Sequence, residues 1–116
     1  MKPAITVELV ATPATLSAAQ FDDFMIGFTV HNVGQQVIDP ELNLSELRVN
    51  GAPSHDWGMA VMNSGHEAKW KALPPGESVG GHWPLAHELF PRPGDYELVL
   101  IVAGVSSPEV AVHVTP

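Results

Sequence analysis

At 116 residues the chain has the length of one ordinary domain, so a single domain over residues 1–116 with one core is expected. Five basic against thirteen acidic residues give a formal charge of −8, which speaks against nucleic acid and anionic membrane surfaces as partners. The absence of cysteine removes disulfides, thiolate metal sites and cysteine nucleophiles.

The first residues, Met1-Lys2-Pro3-Ala4-Ile5-Thr6-Val7-Glu8, alternate with polar residues too early for a signal-peptide core. No apolar run approaches the ~20 residues that span a bilayer. A cytoplasmic chain is the expectation from these residues, or an extracytoplasmic one if an export signal has been removed ahead of them.

Ile5, Val7 and Leu9 alternate with Thr6 and Glu8, which predicts a half-buried strand over 4–10. Over 24–32, Phe24, Ile26, Phe28 and Val30 share one face, and Met25, Gly27, Thr29 and His31 the other. Asn32-Val33-Gly34 closes that strand, its Asn and Gly suited to a left-handed backbone. A strand over 44–49 runs into Asn50-Gly51, a two-residue hairpin signal, whose partner strand is expected over 57–62, delayed by Pro53.

A short strand is expected over 68–73, then a turn at Leu73-Pro74-Pro75-Gly76-Glu77. The next strand, 78–85, contains Gly80-Gly81, which fits a bulge or a sheet edge. A helical turn follows over 85–90. Residues 96–102 are apolar at nearly every position, the pattern of a central strand covered on both faces, and Val110, Val112 and Val114 mark a last strand. About seven to eight short antiparallel strands, with turns every ~10 residues, predict an all-β immunoglobulin-like sandwich.

Three motifs carry a resemblance: Phe28-Thr29-Val30-His31-Asn32-Val33-Gly34, Leu73-Pro74-Pro75-Gly76-Glu77 and Pro93-Gly94-Asp95-Tyr96-Glu97-Leu98. Their order and spacing resemble bacterial immunoglobulin-like domains, and among these the layout is similar to the Bacillus-type intracellular proteinase inhibitor family. The resemblance covers about residues 24–114 and implies a β-sandwich that binds through its loops. Each motif also has a local reason. Pro75-Gly76 suits a type II turn, and Tyr96 stands where a tyrosine corner bonds its hydroxyl to nearby backbone.

Six histidines, at 31, 55, 66, 82, 87 and 113, match no zinc spacing. His31 and His113 fall on outward strand faces, and a loop at Trp83-Pro84 brings His82 and His87 within reach of each other. Met59, Met62 and His66 are soft donors that suit Cu(I), but a blue-copper site needs a cysteine and strand methionines usually fill cores. No cofactor is expected. Trp57, Trp70 and Trp83 serve the core, a sugar platform or a protein interface. Ser54-His55-Asp56 holds the three triad residue types, but neighbours on an extended chain point apart and form no relay.

These readings predict a non-catalytic module that binds another protein, as a protease inhibitor or an assembly domain. Its contacts are expected on the loops 50–56 and 81–92, through His55, Trp57, His82, Trp83, His87 and Phe90. The alternatives are a carbohydrate-binding accessory domain using exposed tryptophans and a His/Met copper domain. An extended peptide added to a sheet edge is a further mode, at the edge opposite Gly80-Gly81.

Overall fold

The computed structural model describes residues 4–63 and 67–116. The strands are β1 (Ile5–Thr12), β2 (Thr15–Leu16), β3 (Met25–Asn32), β4 (Glu46–Val49), β5 (Ala52–Pro53), β6 (Ser78–Trp83), β7 (Gly94–Val102), β8 (Val105–Ser106) and β9 (Val110–Val114). Two short helices interrupt them, α1 (His55–Met62) and α2 (Ala86–Leu89). One sheet has the order β1-β3-β6, the other β2-β9-β7-β4-β5, with β8 hairpinned to β7. β1 packs across the sandwich on β7, β8 and β9. The chain changes sheets at the cis Thr12–Pro13 bond, so β1 pairs with β3 while β2 runs parallel to β9. Apart from that short parallel pair, this is the expected antiparallel immunoglobulin-like sandwich.

Period-two alternation builds the core. Ile5, Val7, Leu9 and Ala11 of β1, Ile26, Phe28 and Val30 of β3, and Leu98, Leu100 and Val102 of β7 are buried in one cluster. The other face of β7 departs from expectation, because Val99 and Ile101 are only half-buried. On that side Val99 stands opposite Arg48 and Ile101 opposite Glu46 of β4, and β-branched residues there satisfy strand preference without a second buried layer.

Two expected strands are absent. Residues 57–62 form most of α1, capped by Ser54, whose Oγ accepts from the Trp57 N–H (3.3 Å). Trp57 and Val61 are four apart, a spacing that shares one face in a strand and in a helix alike, so the two periods could not be told apart there. The partner of β4 in the Asn50-Gly51 hairpin is only Ala52–Pro53, and both turn residues have positive φ (51° and 84°). In place of a strand over 68–73 stands a 3₁₀ turn, Ala68–Trp70, after which Leu73 makes an isolated bridge to Ile38. Gly80-Gly81 lies on an edge strand but forms no bulge: the β3–β6 register is unbroken. A Cβ on Gly80 would overlap the Phe28 carbonyl oxygen.

The three motifs are structural joints. Glu77 N–H donates to Pro74 O (3.2 Å) across a turn with Gly76 at φ 76°, as a type II turn requires. Asn32 and Gly34 are not left-handed; Asn32 is instead a buried hydrogen-bonding centre that joins the first motif to the second. The Tyr96 hydroxyl donates to Arg92 O (2.6 Å) and accepts from Arg92 N–H (3.2 Å), completing the tyrosine corner. Tyr96→Phe should cost about 1 kcal/mol in urea unfolding, the net value of one such bond.

Candidate functional site

Glu41 adopts a left-handed backbone (φ 53°) with its N–H donating to Asp39 Oδ1 (2.8 Å). This kink starts the 3₁₀ segment Leu42–Leu44, which turns Leu42 into the core and leaves Leu44 77% exposed. Opposite stands α1, held from beneath by Trp57. The Trp57 ring is fully buried, edge-on to Phe28 and Trp83, and its Nε1–H donates to Ser45 Oγ (3.1 Å).

That anchor fixes which face of α1 meets solvent. His55, Met59 and Met62, spaced i, i+4 and i+7, share it. Met59 is 46% and Met62 63% exposed, against the expectation that these methionines fill a core. Between them and the Leu44 segment runs an open groove of about 300 Å³, lined also by Glu46 and Pro53. A second hollow of about 190 Å³ continues past Leu44 to Asp39, Glu41 and Lys71. Three of the six large exposed hydrophobics among the described residues, Leu44, Met59 and Met62, therefore line one groove. Of the residues lining the groove Glu46 is the acidic one, and it is shared with Arg48 (2.6 Å); Asp39 and Glu41 line the adjoining hollow together with Lys71. Farther along, Lys69 is held protonated above its ordinary range by its hydrogen bond to Glu77 and by that carboxylate's charge.

The residues expected to contact a partner divide. His55 is exposed on the groove. Trp57 and Phe90 are withdrawn as contacts, because both are buried; Phe90 packs on Phe24 and Tyr96. Trp83 is half-buried, stacked on Phe28 at 5.8 Å, and Trp70 is buried edge-on to the same ring. The three tryptophans thus converge on Phe28, which overturns the reading of an exposed sugar platform. His82 is exposed on β6, while His87, on α2, has its Nε2 3.7 Å from Asp22 and its ring against Phe21.

On the strand faces, His31 pairs with Glu8 and Ser78, and His113 with Asp95. His66 lies outside the described residues. Among the described residues no group of three or more His, Asp or Glu is placed to hold a metal ion. Ser54 is occupied as the α1 cap, which gives the Ser54-His55-Asp56 run a structural use. Leu44 is the groove residue that sequence reasoning missed. Its only signal was the Leu42/Leu44 pair, one leucine more than a half-buried strand end needs.

No family model matches this chain, and no curated protein does. Among solved structures, the CARDB domain of a Pyrococcus furiosus protein, determined in complex with di-metal ions, is similar to it. The likeness covers 98% of this chain and 94% of that one, with a TM-score of 0.56 and 15% identity. It shows the β-sandwich fold, and nothing in it points to the proteinase inhibitor family.

Proposed function

We propose that this β-sandwich is a non-catalytic module that holds another protein in the groove between α1 and Leu42–Leu44. The observation that carries the reading is the exposure of Leu44, Met59 and Met62 along one hollow. Apolar side chains gathered in a patch mark contact surfaces where scattered ones do not. Methionine suits the task, since an unbranched thioether repacks against differently shaped partners. The charge of −8, with Asp39 and Glu41 in the adjoining hollow, steers a partner whose own surface is basic around an apolar centre. Assembly and protease inhibition are both forms of such binding, and inhibition assays on a panel of proteases separate them.

The test is a photo-crosslinking residue placed at Met62, with a second at His82, exposed on β6 of the other sheet, as control. A partner captured from position 62 alone supports the groove; equal capture from both positions overturns it. Met59→Ser/Met62→Ser should then weaken that partner at least ten-fold, since each buried methionine contributes about 1.5–3 kcal/mol. The double variant's own stability should move by no more than about 0.5 kcal/mol, as the side chains are exposed.

One observation favours a second reading. With His55, α1 presents one imidazole and two thioethers on a single face, a soft donor set that suits Cu(I). His55 takes the part expected of His66. Titration with Ag(I), followed by the Met59 and Met62 methyl resonances, should saturate at one equivalent if this holds; shifts absent at stoichiometric Ag(I) dismiss it.

A further inference from the structure

We infer that the free edge of β1 is a strand-addition site for an extended segment of another protein that runs antiparallel to β1 and carries lysine or arginine opposite Glu8. In the β1–β3 register Ile5 lies opposite Asn32 and Thr12 opposite Met25. Antiparallel pairs alternate between those that exchange hydrogen bonds and those that do not. Val33 N–H donates to Ala4 O (2.9 Å), whereas Asn32 N–H turns away to Glu77 O (3.0 Å). The pairs bonded to β3 are therefore those of Thr6, Glu8, Val10 and Thr12. The N–H and C=O groups of Ile5, Val7, Leu9 and Ala11 point out of the sheet, and among the described residues no strand lies beyond them.

The other edges are blunted. β5 has two residues and contains Pro53; β2 has two residues and follows Pro13. β6 is flanked by the Ala68–Trp70 turn and ends before Pro84. β1 is eight residues long and carries no proline or bulge, and its one edge-protecting device is the charge of Glu8. Its exposed side chains are Thr6, Glu8, Val10 and Thr12, with Val10 58% exposed.

Charge identifies the occupant. On the outward side Glu8 stands at a non-bonded pair position, where cross-strand side chains approach most closely. Its side chain is 64% exposed, with Oε2 3.4 Å from His31 Nε2 on the β3 side. A second copy of this chain in full antiparallel overlap would set Glu8 against Glu8 and bring together two chains of charge −8. A basic residue on a foreign strand reverses the sign of that contact. This site is separate from the α1 groove and does not depend on it.

The probe is the peptide acetyl-TVTVKVTVT-amide, added to the whole chain while amide exchange is followed by NMR. Exchange at Val7, Leu9 and Ala11 should slow at least ten-fold, and the same peptide N-methylated on the bonding edge should have no effect. Glu8→Lys, an exposed change that leaves the core intact, should weaken this peptide roughly ten-fold and favour its Glu-centred counterpart. Unchanged exchange at millimolar peptide overturns the inference, as does indifference to Glu8→Lys. Protection that grows with protein concentration alone would assign the edge to a second copy instead. Shifts confined to Met59 and Met62 would overturn the edge while leaving the groove standing.

Discussion

Asn32→Ala is expected to destabilise the chain by about 3 kcal/mol and to lower its thermal midpoint by roughly 10–15 °C. Asn32 is 1% exposed at the end of β3. Its Nδ2 group donates to Gln36 O (2.7 Å) and Leu73 O (2.9 Å), and its Oδ1 accepts from Gly34 N–H (3.0 Å). Its main chain adds two more bonds, N–H to Glu77 O and O from Gly76 N–H. Alanine keeps the main-chain pair and strands three backbone groups, each costing about 1–3 kcal/mol where water cannot reach. Asn32→Asp should be worse at neutral pH, because it turns a buried carboxylate toward two carbonyl oxygens. Denaturant unfolding of the two variants checks both statements, and a loss below about 1 kcal/mol for alanine would contradict the buried network.

Trp57→Ala should cost about 3–5 kcal/mol, the largest single-residue effect expected. The ring is among the largest fully buried side chains and ties α1 to Phe28, Trp83 and Ser45. Trp57→Phe keeps much of the volume but leaves Ser45 Oγ without its indole donor, a loss of about 1–2 kcal/mol. Loss of partner binding in Trp57→Ala would thus report a loosened α1 and not a missing contact. Urea unfolding, with amide exchange across His55–Met62, separates these effects: exchange there should rise in Trp57→Ala and stay near native in Met59→Ser/Met62→Ser.

The sandwich was legible wherever one face of a strand is buried, because alternation at 5–9, 24–30 and 110–114 leaves a single register that hides the apolar set. Tyr96 and Pro75-Gly76 were legible because their geometry is local. Residues 57–62 were misread because Trp57 and Val61 satisfy two periods at once, and only Met59 distinguishes them by facing solvent. Asn32 was misread because a turn residue and a buried hydrogen-bonding centre look alike until its carbonyl partners, up to 41 positions away, are in place.

The candidate site suffered from the same locality. His55, Met59 and Met62 were all singled out, but as separate readings, since their common face exists only if 55–62 is helical. Trp57 and Phe90 were assigned to the surface because loop composition does not say which way a ring turns. Leu44 became visible only once Glu41 adopted its left-handed kink and sent Leu42 inward.

The most direct measurement is the affinity of the partner captured at position 62 for three proteins: the native chain, Met59→Ser/Met62→Ser and Trp83→Ala. A groove interface gives a loss of ten-fold or more in the methionine variant, with Trp83→Ala near native after correction for its unfolded fraction. Native affinity in the methionine variant, with binding abolished in folded Trp83→Ala, would move the contact surface to the β6–α2 loop and end the case for α1.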